Sequence, residues 1–382
     1  MKLLILFVMI IGCLTVLWIA ILASWITGKK MGAQSHIYIR QKRVFQKLQN
    51  VKYIMAGKTG TITEGRLKVT VIRPLIHISQ DKLLQIAASV GSVSNHPLGS
   101  VLEEEAKRKQ IELLEARHTE SYFSSDACGM EAQVEGQLVL LGSEQFIKDH
   151  GIIDKETMEM FREYIQDGKR PLILIREKEI IGFICIDDPI QESGKEAVRQ
   201  LNEMGLEVIL LTEDCQRIAK AIAEEAGIQE VYSGLSPEEK ADKVKQYMEQ
   251  KKYVVMVGGE ENDIQALKAA KVGIVFKGEK NAVVSTTADV VLEKKDFIEV
   301  VKVFHLGKSV IWLSRKNVLW SMLCNLLSIL IGIAGVCAFD VENWIILLIV
   351  IFQISGILAV IVNCIHFMRT TFGNKLLYLY NK

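Results

Sequence analysis

Val51-Lys52-Tyr53-Ile54-Met55-Ala56 is a short apolar run with strand formers, and it leads directly into Gly57-Lys58-Thr59-Gly60-Thr61, a turn-rich loop. A strand ending in such a loop reads as part of an α/β sheet, with chemistry expected at the strand's carboxyl end. Similar punctuation recurs downstream. Glu207–Leu211 reads as a strand before a helical pattern over Cys215–Ala226, and Tyr253–Val257 as a strand before another over Asn262–Ala270. Lys271–Phe276 returns to strand. This alternation argues for a parallel sheet with crossover helices.

The texture changes between Leu67 and about Lys178. Two helical stretches, near Asp81–Val90 and Leu98–Gln110, are followed by an alternating hairpin over Glu131–Leu141 that turns at Glu135-Gly136. This reads as a separate α+β unit inserted into the α/β sheet, which is expected to resume near Glu179. The domain reading is therefore a first sheet segment over 44–66, the insertion over 67–178 and a second sheet segment over 179–300.

Working outward, the apolar residues concentrate at the two ends. Leu3 to Gly28, Asn317 to Phe339 and Asn343 to Cys364 carry no charged residue. Each is long enough for a bilayer core, which takes roughly 20 helical residues. Spans are expected over 3–28, 317–339 and 343–368, the last two as a tight hairpin around Asp340–Glu342. The first run is too long for a secretory signal core. Lys29, Lys30, Arg40, Lys42 and Arg43 follow the first span, Lys308, Arg315 and Lys316 precede the second, and Arg369 and Lys375 follow the third. That bias puts the central part and the C-terminus in the cytoplasm and the N-terminus outside, and we read the plasma membrane as its location.

The 382 residues carry 46 basic and 45 acidic side chains, a net charge of +1, which argues against a nucleic-acid partner. Seven cysteines without tight spacing form no disulfide framework and fit a reducing compartment.

Gly57-Lys58-Thr59-Gly60-Thr61-Ile62-Thr63-Glu64 is similar to the P-type ATPase signature D-K-T-G-T-L-T-E. Four further stretches match in order. Asn95-His96-Pro97-Leu98 resembles S-E-H-P-L of the heavy-metal branch, and Leu211-Thr212-Glu213-Asp214 resembles L-T-G-D. Leu235-Ser236-Pro237-Glu238-Glu239-Lys240 resembles L-x-P-x-x-K, and Val257-Gly258-Gly259-Glu260-Glu261-Asn262-Asp263 resembles V-G-D-G-x-N-D. Asn317-Val318-Leu319-Trp320 with Asn325, and Asn363, are similar to the last spans of copper pumps. The resemblance covers most of Val51–Val291 and implies the C-terminal half of a heavy-metal, copper-type P-type ATPase. It implies a haloacid-dehalogenase-like Rossmann domain with an inserted nucleotide-binding domain, plus three transmembrane helices. The family's earlier spans and actuator domain find no match in these residues.

The resemblance also assigns roles. The nucleophilic aspartate falls on Gly57, and the Mg²⁺-binding aspartate of G-D-G-x-N-D falls on Gly259. Phosphoryl transfer needs a carboxylate nucleophile and a divalent cation, so losing both carboxylates implies a lapsed Mg²⁺ site and no phosphoenzyme. Lys58, Thr59, Asn262 and Asp263 persist. Thr212 would donate to phosphate and Lys240 would supply positive charge, or else the two are a helix cap and a solvated lysine. Without the two carboxylates a more positive pocket is expected. Asp214 is expected to cap the following helix. For ATP, His96 would stack on adenine beside Asn95 and Pro97, and Gly129 would let backbone approach the ligand, its companion glycine being Ala127. For a soft metal the C-P-C motif is reduced to Cys13-Leu14-Thr15; the tyrosine and methionine of the later spans become Cys324 and Phe352. A cluster of Cys13, Cys324 and Cys364 stands against the plainer expectation that these thiols pack helices.

Two functions follow as expectations. One is a catalytically inactive membrane relative of the pumps that binds nucleotide or a partner, such as a full-length metal pump. The other is an active heavy-metal transporter assembled with a separate chain. In that second case Glu64, seven residues beyond Gly57, is a poor substitute nucleophile, because the family has glutamate there too.

Overall fold

The opening run becomes strand β2 (Tyr53–Gly57) in the computed structural model, which describes residues 2–41, 43–94, 97–123, 128–150, 159, 164, 169, 171–214, 216–278, 286–338 and 343–380. The chain divides into two compact units. One comprises Met1–Ile54, Lys243–Val257 and Ile264–Lys382, the other Met55–Asp242 and Gly258–Asp263.

The first unit is dominated by three long helices, α1 (Lys2–Gln34), α10 (Ile298–Ala338) and α11 (Asn343–Tyr380), which pack against one another. Each is long and apolar enough to cross a membrane. The helices outrun the uncharged stretches because the flanking residues keep helical character after charge returns. Buried side chains fall at helical spacing, as in Val16, Ala20 and Ser24 of α1, while Leu14, Trp18 and Ile21 point outward. The same unit holds α2 (Val44–Leu48), β1 (Ile37–Ile39), β11 (Val254–Gly258), α9 (Ile264–Ala269), β12 (Val272–Phe276) and β13 (Val290–Leu292). β12 pairs in parallel with β13, and β1 closes that edge in antiparallel register, Ile37 opposite Leu292.

The second unit contains β9 (Glu207–Leu211), paired in parallel with β10 (Glu230–Tyr232), and helices α6 (Glu192–Glu203), α7 (Gln216–Ala226) and α8 (Pro237–Glu249). In the first unit the strands run β1-β13-β12-β11, and in the second β2-β9-β10. β9 (EVILL) and β11 (VVMVG) are almost wholly buried, as befits strands covered on both faces.

The inserted unit is a six-stranded antiparallel sheet in the order β3-β8-β7-β6-β5-β4, built from β3 (Lys68–Pro74), β4 (Ala116–Phe123), β5 (Cys128–Val134), β6 (Gln137–Gly142), β7 (Pro171–Arg176) and β8 (Glu179–Asp187). The hairpin forms where the alternating pattern puts it, turning at Glu135 and Gly136, both at positive φ. Helices α3 (Gln80–Ser92) and α4 (Pro97–Arg108) occupy the helical stretches. Alternate residues of β7 serve two cores. Leu172 and Leu174 join Leu83, Leu84 and Leu102 of α3 and α4, whereas Ile173 and Ile175 join Phe146 and Ile147 of α5 (Glu144–Asp149).

Glu179–Asp187 departs from expectation. It does not reopen the α/β sheet; it forms β8, antiparallel to β7 and β3. The reason is local: Glu177 and Lys178 take positive φ and close a tight hairpin that folds the strand back on β7. The parallel sheet resumes at β9. Asp340 and Glu342 of the expected membrane hairpin lie outside the described residues.

Candidate functional site

β2 delivers Gly57 to the start of a tight loop, Lys58–Ile62, closed by the Thr63 N–H donating to Lys58 O at 3.1 Å. Gly60 sits at φ +64, which only glycine adopts readily, so its place in the loop is a backbone requirement. Thr63 Oγ1 accepts from Gly60 N at 3.3 Å and lies 2.5 Å from Asp188 Oδ2, which braces the loop from below. Asp188 Oδ1 in turn accepts from Gly65 N at 2.7 Å.

Around this loop the unit gathers most of the polar residues singled out above. Gly57 is buried, and a Cβ built on it would stand 3.1 Å from Asp263 Oδ2. Asp263 is itself 3% exposed, and its Oδ2 accepts from Gly259 N at 3.2 Å and Glu260 N at 3.4 Å. Lys240, 5% exposed on α8, points its Nζ to Asp263 Oδ1 at 3.5 Å and to Glu213 Oε1 at 3.1 Å. Asn262 Nδ2 donates to that same Glu213 oxygen at 2.9 Å. Lys58 Nζ pairs with Asp214 Oδ2 at 2.6 Å. Thr212 is buried at the end of β9, and its hydroxyl accepts from Asp214 N at 3.1 Å, a local turn that aims the Asp214 carboxylate. Thr59 is half-buried in the loop.

Two expectations change. The pocket is not left more positive: both ammonium groups have carboxylate partners, and four acidic side chains, Glu213, Asp214, Glu260 and Asp263, stand near them. Burial pushes the carboxyls of Asp263 and Glu260 above their usual range, with their mutual repulsion adding to the shift at Glu260. Asp214 gives Oδ2 to Lys58 in addition to whatever it does for the following helix. Lys240 is a buried ion-pair centre, which removes the solvated-lysine alternative.

Sequence reasoning missed Glu213. Its signal is a glutamate standing where the similar L-T-G-D stretch has glycine. Glu64, the substitute nucleophile considered above, faces away into a pair with Lys68 at 2.6 Å.

Gly259 has room around it. A Cβ there would meet only Gly60 O at 3.7 Å and Thr61 Oγ1 at 4.0 Å. Among the described residues Thr61 Oγ1 is fully buried without a hydrogen-bond partner. Room for a Cβ and an orphaned hydroxyl thus stand together at Gly259.

The expected nucleotide contacts are only partly visible. Asn95, His96 and Ala127 lie outside the described residues, and Pro97 opens α4. Gly129 is in β5, paired with Tyr122 and Gly142. A Cβ there would come within 2.4 Å of the Phe146 ring, so close ring packing is a sufficient reason for glycine.

In the membrane helices the three cysteines sit in different surroundings. Asn325 Nδ2 donates to Cys13 O at 3.0 Å, Cys324 Sγ packs over Gly356, and Cys364 Sγ lies 3.5 Å from Asn317 Nδ2. Among the described residues no three His, Cys, Asp or Glu side chains are grouped to hold a metal ion. Phe352 is half-buried. Its neighbour Gln353, which sequence reasoning also missed, turns inward and donates to Val8 O at 3.3 Å, its carboxamide filling the space above Gly12. A lone glutamine in an apolar span is the signal for it.

Residues 51–271 match the haloacid dehalogenase-like hydrolase family. Over 314 residues the chain is 34% identical to copper-exporting P-type ATPase B of Archaeoglobus fulgidus, covering 82% of this chain and 44% of that protein. Over 332 residues it is 30% identical to a copper-exporting P-type ATPase of Staphylococcus aureus, covering 87% and 40% respectively. The chain thus spans less than half the length of these curated relatives. A crystal structure of a zinc-transporting PIB-type ATPase in the E2.Pi state superposes with a TM-score of 0.82 at 26% identity, covering 92% of this chain and 56% of that one.

Proposed function

We propose that the chain, a heavy-metal P-type ATPase family member with a haloacid dehalogenase-like domain over residues 51–271, is a membrane-bound relative of the pumps that forms no aspartyl phosphate. In this reading it acts by binding nucleotide or a partner membrane protein, such as a full-length metal pump, with its central part on the cytoplasmic side of the cell membrane. The antiparallel unit that runs from β3 to β8, Lys68 to Asp187, is the nucleotide-binding part.

The observation that carries the reading is the tip of β2. A P-type pump needs a carboxylate there to attack phosphorus. Gly57 has no side chain, and the nearest carboxylate, Asp263, is buried with both oxygens engaged by Lys240 and two backbone N–H groups. It cannot swing out to a phosphoryl group without giving up both backbone N–H bonds and its contact with Lys240. The Mg²⁺ that the family uses does not fit this donor set either. A hard cation takes several oxygen ligands and would sit among carboxylates. Here Gly259 offers none, Asp214 and Glu213 are tied to lysines, and Lys58 and Lys240 both face the space. No step is therefore routed through a metal.

Thr212, Lys240, Asn262 and Lys58 keep the arrangement of a site for an anionic group, and the inserted unit keeps an intact core. The test is nucleotide binding and turnover on one preparation of the full chain in lipid nanodiscs. We expect a fluorescent ATP analogue to bind saturably and phosphate release to stay at background with Cu⁺, Zn²⁺ or neither. Metal-stimulated turnover would overturn the inactive reading, and absence of nucleotide binding would remove the ATP part.

A further inference from the structure

One oxygen, Glu213 Oε1, receives both the Lys240 ammonium at 3.1 Å and the Asn262 carboxamide at 2.9 Å. The two donors come from separate elements, α8 and the turn at Glu261–Asp263, and converge on a single point. The lysine side chain is 6% exposed, whereas the glutamate side chain is 48% exposed. The donors are thus fixed within the fold and the acceptor stands at the mouth. That is how a small oxyanion would be held at such a corner, with charge-assisted hydrogen bonds to a preset ammonium and amide.

We propose that the Glu213 carboxylate is an internal anion that fills the Lys240–Asn262 corner and shuts free phosphate out of it. This rests on the reading that the site carries no aspartyl phosphate, and it deepens that reading by naming the group that holds the site closed. Glu213 is joined to the site through the chain, so it competes at an effective concentration on the order of millimolar or higher. Cellular phosphate gains little against it.

The charges that face the corner are Lys58, Asp214, Glu260 and Asp263. Lys58 and Asp214 neutralise each other at 2.6 Å. Asp263 stays 3.5 Å from Lys240, but burial opposes its charge, as it does that of Glu260. Removing Glu213 therefore leaves Lys240 short of negative charge and Asn262 short of an acceptor. The corner becomes receptive to an external oxyanion.

The experiment is equilibrium dialysis of ³²P-orthophosphate against the full chain in nanodiscs. The wild type should show no saturable binding up to about 10 mM phosphate, given the tethered competitor. Glu213→Ala should bind at least about tenfold more tightly, the value of one charge-assisted hydrogen-bond set. Adding Asn262→Ala to Glu213→Ala should lose about tenfold again. Circular dichroism and the unfolding transition confirm that each variant is folded; Glu213→Gln, which keeps the size and drops the charge, replaces any alanine variant that is not. The proposal is overturned if the wild type binds phosphate as tightly as Glu213→Ala, if folded Glu213 variants gain no phosphate, or if Asn262→Ala leaves the gain intact. A phosphoenzyme in the wild type would defeat the functional reading and leave this measurement standing, so the two failures are distinguishable.

Discussion

Lys240 and Asp263 form the most deeply buried ion pair of the candidate site, at 5% and 3% exposure. Neither group would be stable there alone, because an unpaired charge in the interior costs several kilocalories per mole. Lys240→Ala is expected to destabilise the domain by about 3 kcal/mol, read as a lowered urea midpoint with unchanged slope. Asp263 also sets a pH dependence. Its carboxyl is held above its usual value by burial, so the unfolded chain loses that proton first. The penalty is absent below the unfolded value, grows as pH rises toward the raised folded value and is complete above it. As pH rises above about 4, the ordinary carboxylate range, stability of the wild type should fall relative to Asp263→Asn; parallel curves for the two proteins would contradict this. At this scale the sequence disclosed which positions matter and concealed how they pair. Lys240, Asn262 and Asp263 are visible in the linear motifs, but the partner they share, Glu213, comes from a third segment, and only folding brings it to them.

Elements were legible wherever local chemistry decides them. β9 has the limits that its apolar run sets, and the Glu135-Gly136 turn forms with both residues at positive φ, which Gly136 adopts without cost. β8 was misassigned to the other sheet, since an apolar strand does not reveal its partner; the clue was the short Glu177-Lys178 link. Ser236 and Glu239 show how a motif read for chemistry also has a structural duty. Glu239 N donates to Ser236 Oγ at 3.3 Å, and Ser236 N donates to Glu239 Oε2 at 2.8 Å, a reciprocal cap that starts α8 at Pro237 and so positions Lys240. Ser236→Ala should cost about 1 kcal/mol by thermal unfolding. Helices α3 and α4 meet at Gly91 and Gly99, where a Cβ on Gly91 would fall 2.8 Å from the Gly99 Cα. Backbone cannot yield as a side chain can, so Gly91→Val should cost about 1–3 kcal/mol; an unchanged midpoint would mean the two helices are less closely packed than described.

At the scale of the whole molecule, length and charge bias made the three spans legible, and they left the polar seam between them invisible. Asn317 Nδ2 donates to Ser24 Oγ at 3.0 Å, and Asn363 Nδ2 donates to Asn317 Oδ1 at 3.1 Å, tying α1, α10 and α11 at one level. In hydrocarbon such contacts contribute about 0.6–2 kcal/mol, so Asn317→Leu should lower the midpoint of unfolding in mixed micelles while leaving the water-exposed part unaffected in hydrogen exchange. The same packing sets Asn325 against the Cys13 carbonyl, Gly356 against Cys324 and Asn317 against the Cys364 thiol.

The central proposal is chemical: Gly57 at the tip of β2 has no side chain with which to take up phosphate. Acid-quenched labelling of the purified full chain with ATP carrying ³²P at the γ position, with and without Cu⁺, tests it most directly. The account predicts no acid-stable labelled band from the wild type under any condition. A labelled wild-type band that hydroxylamine removes, as it does an acyl phosphate, would contradict it.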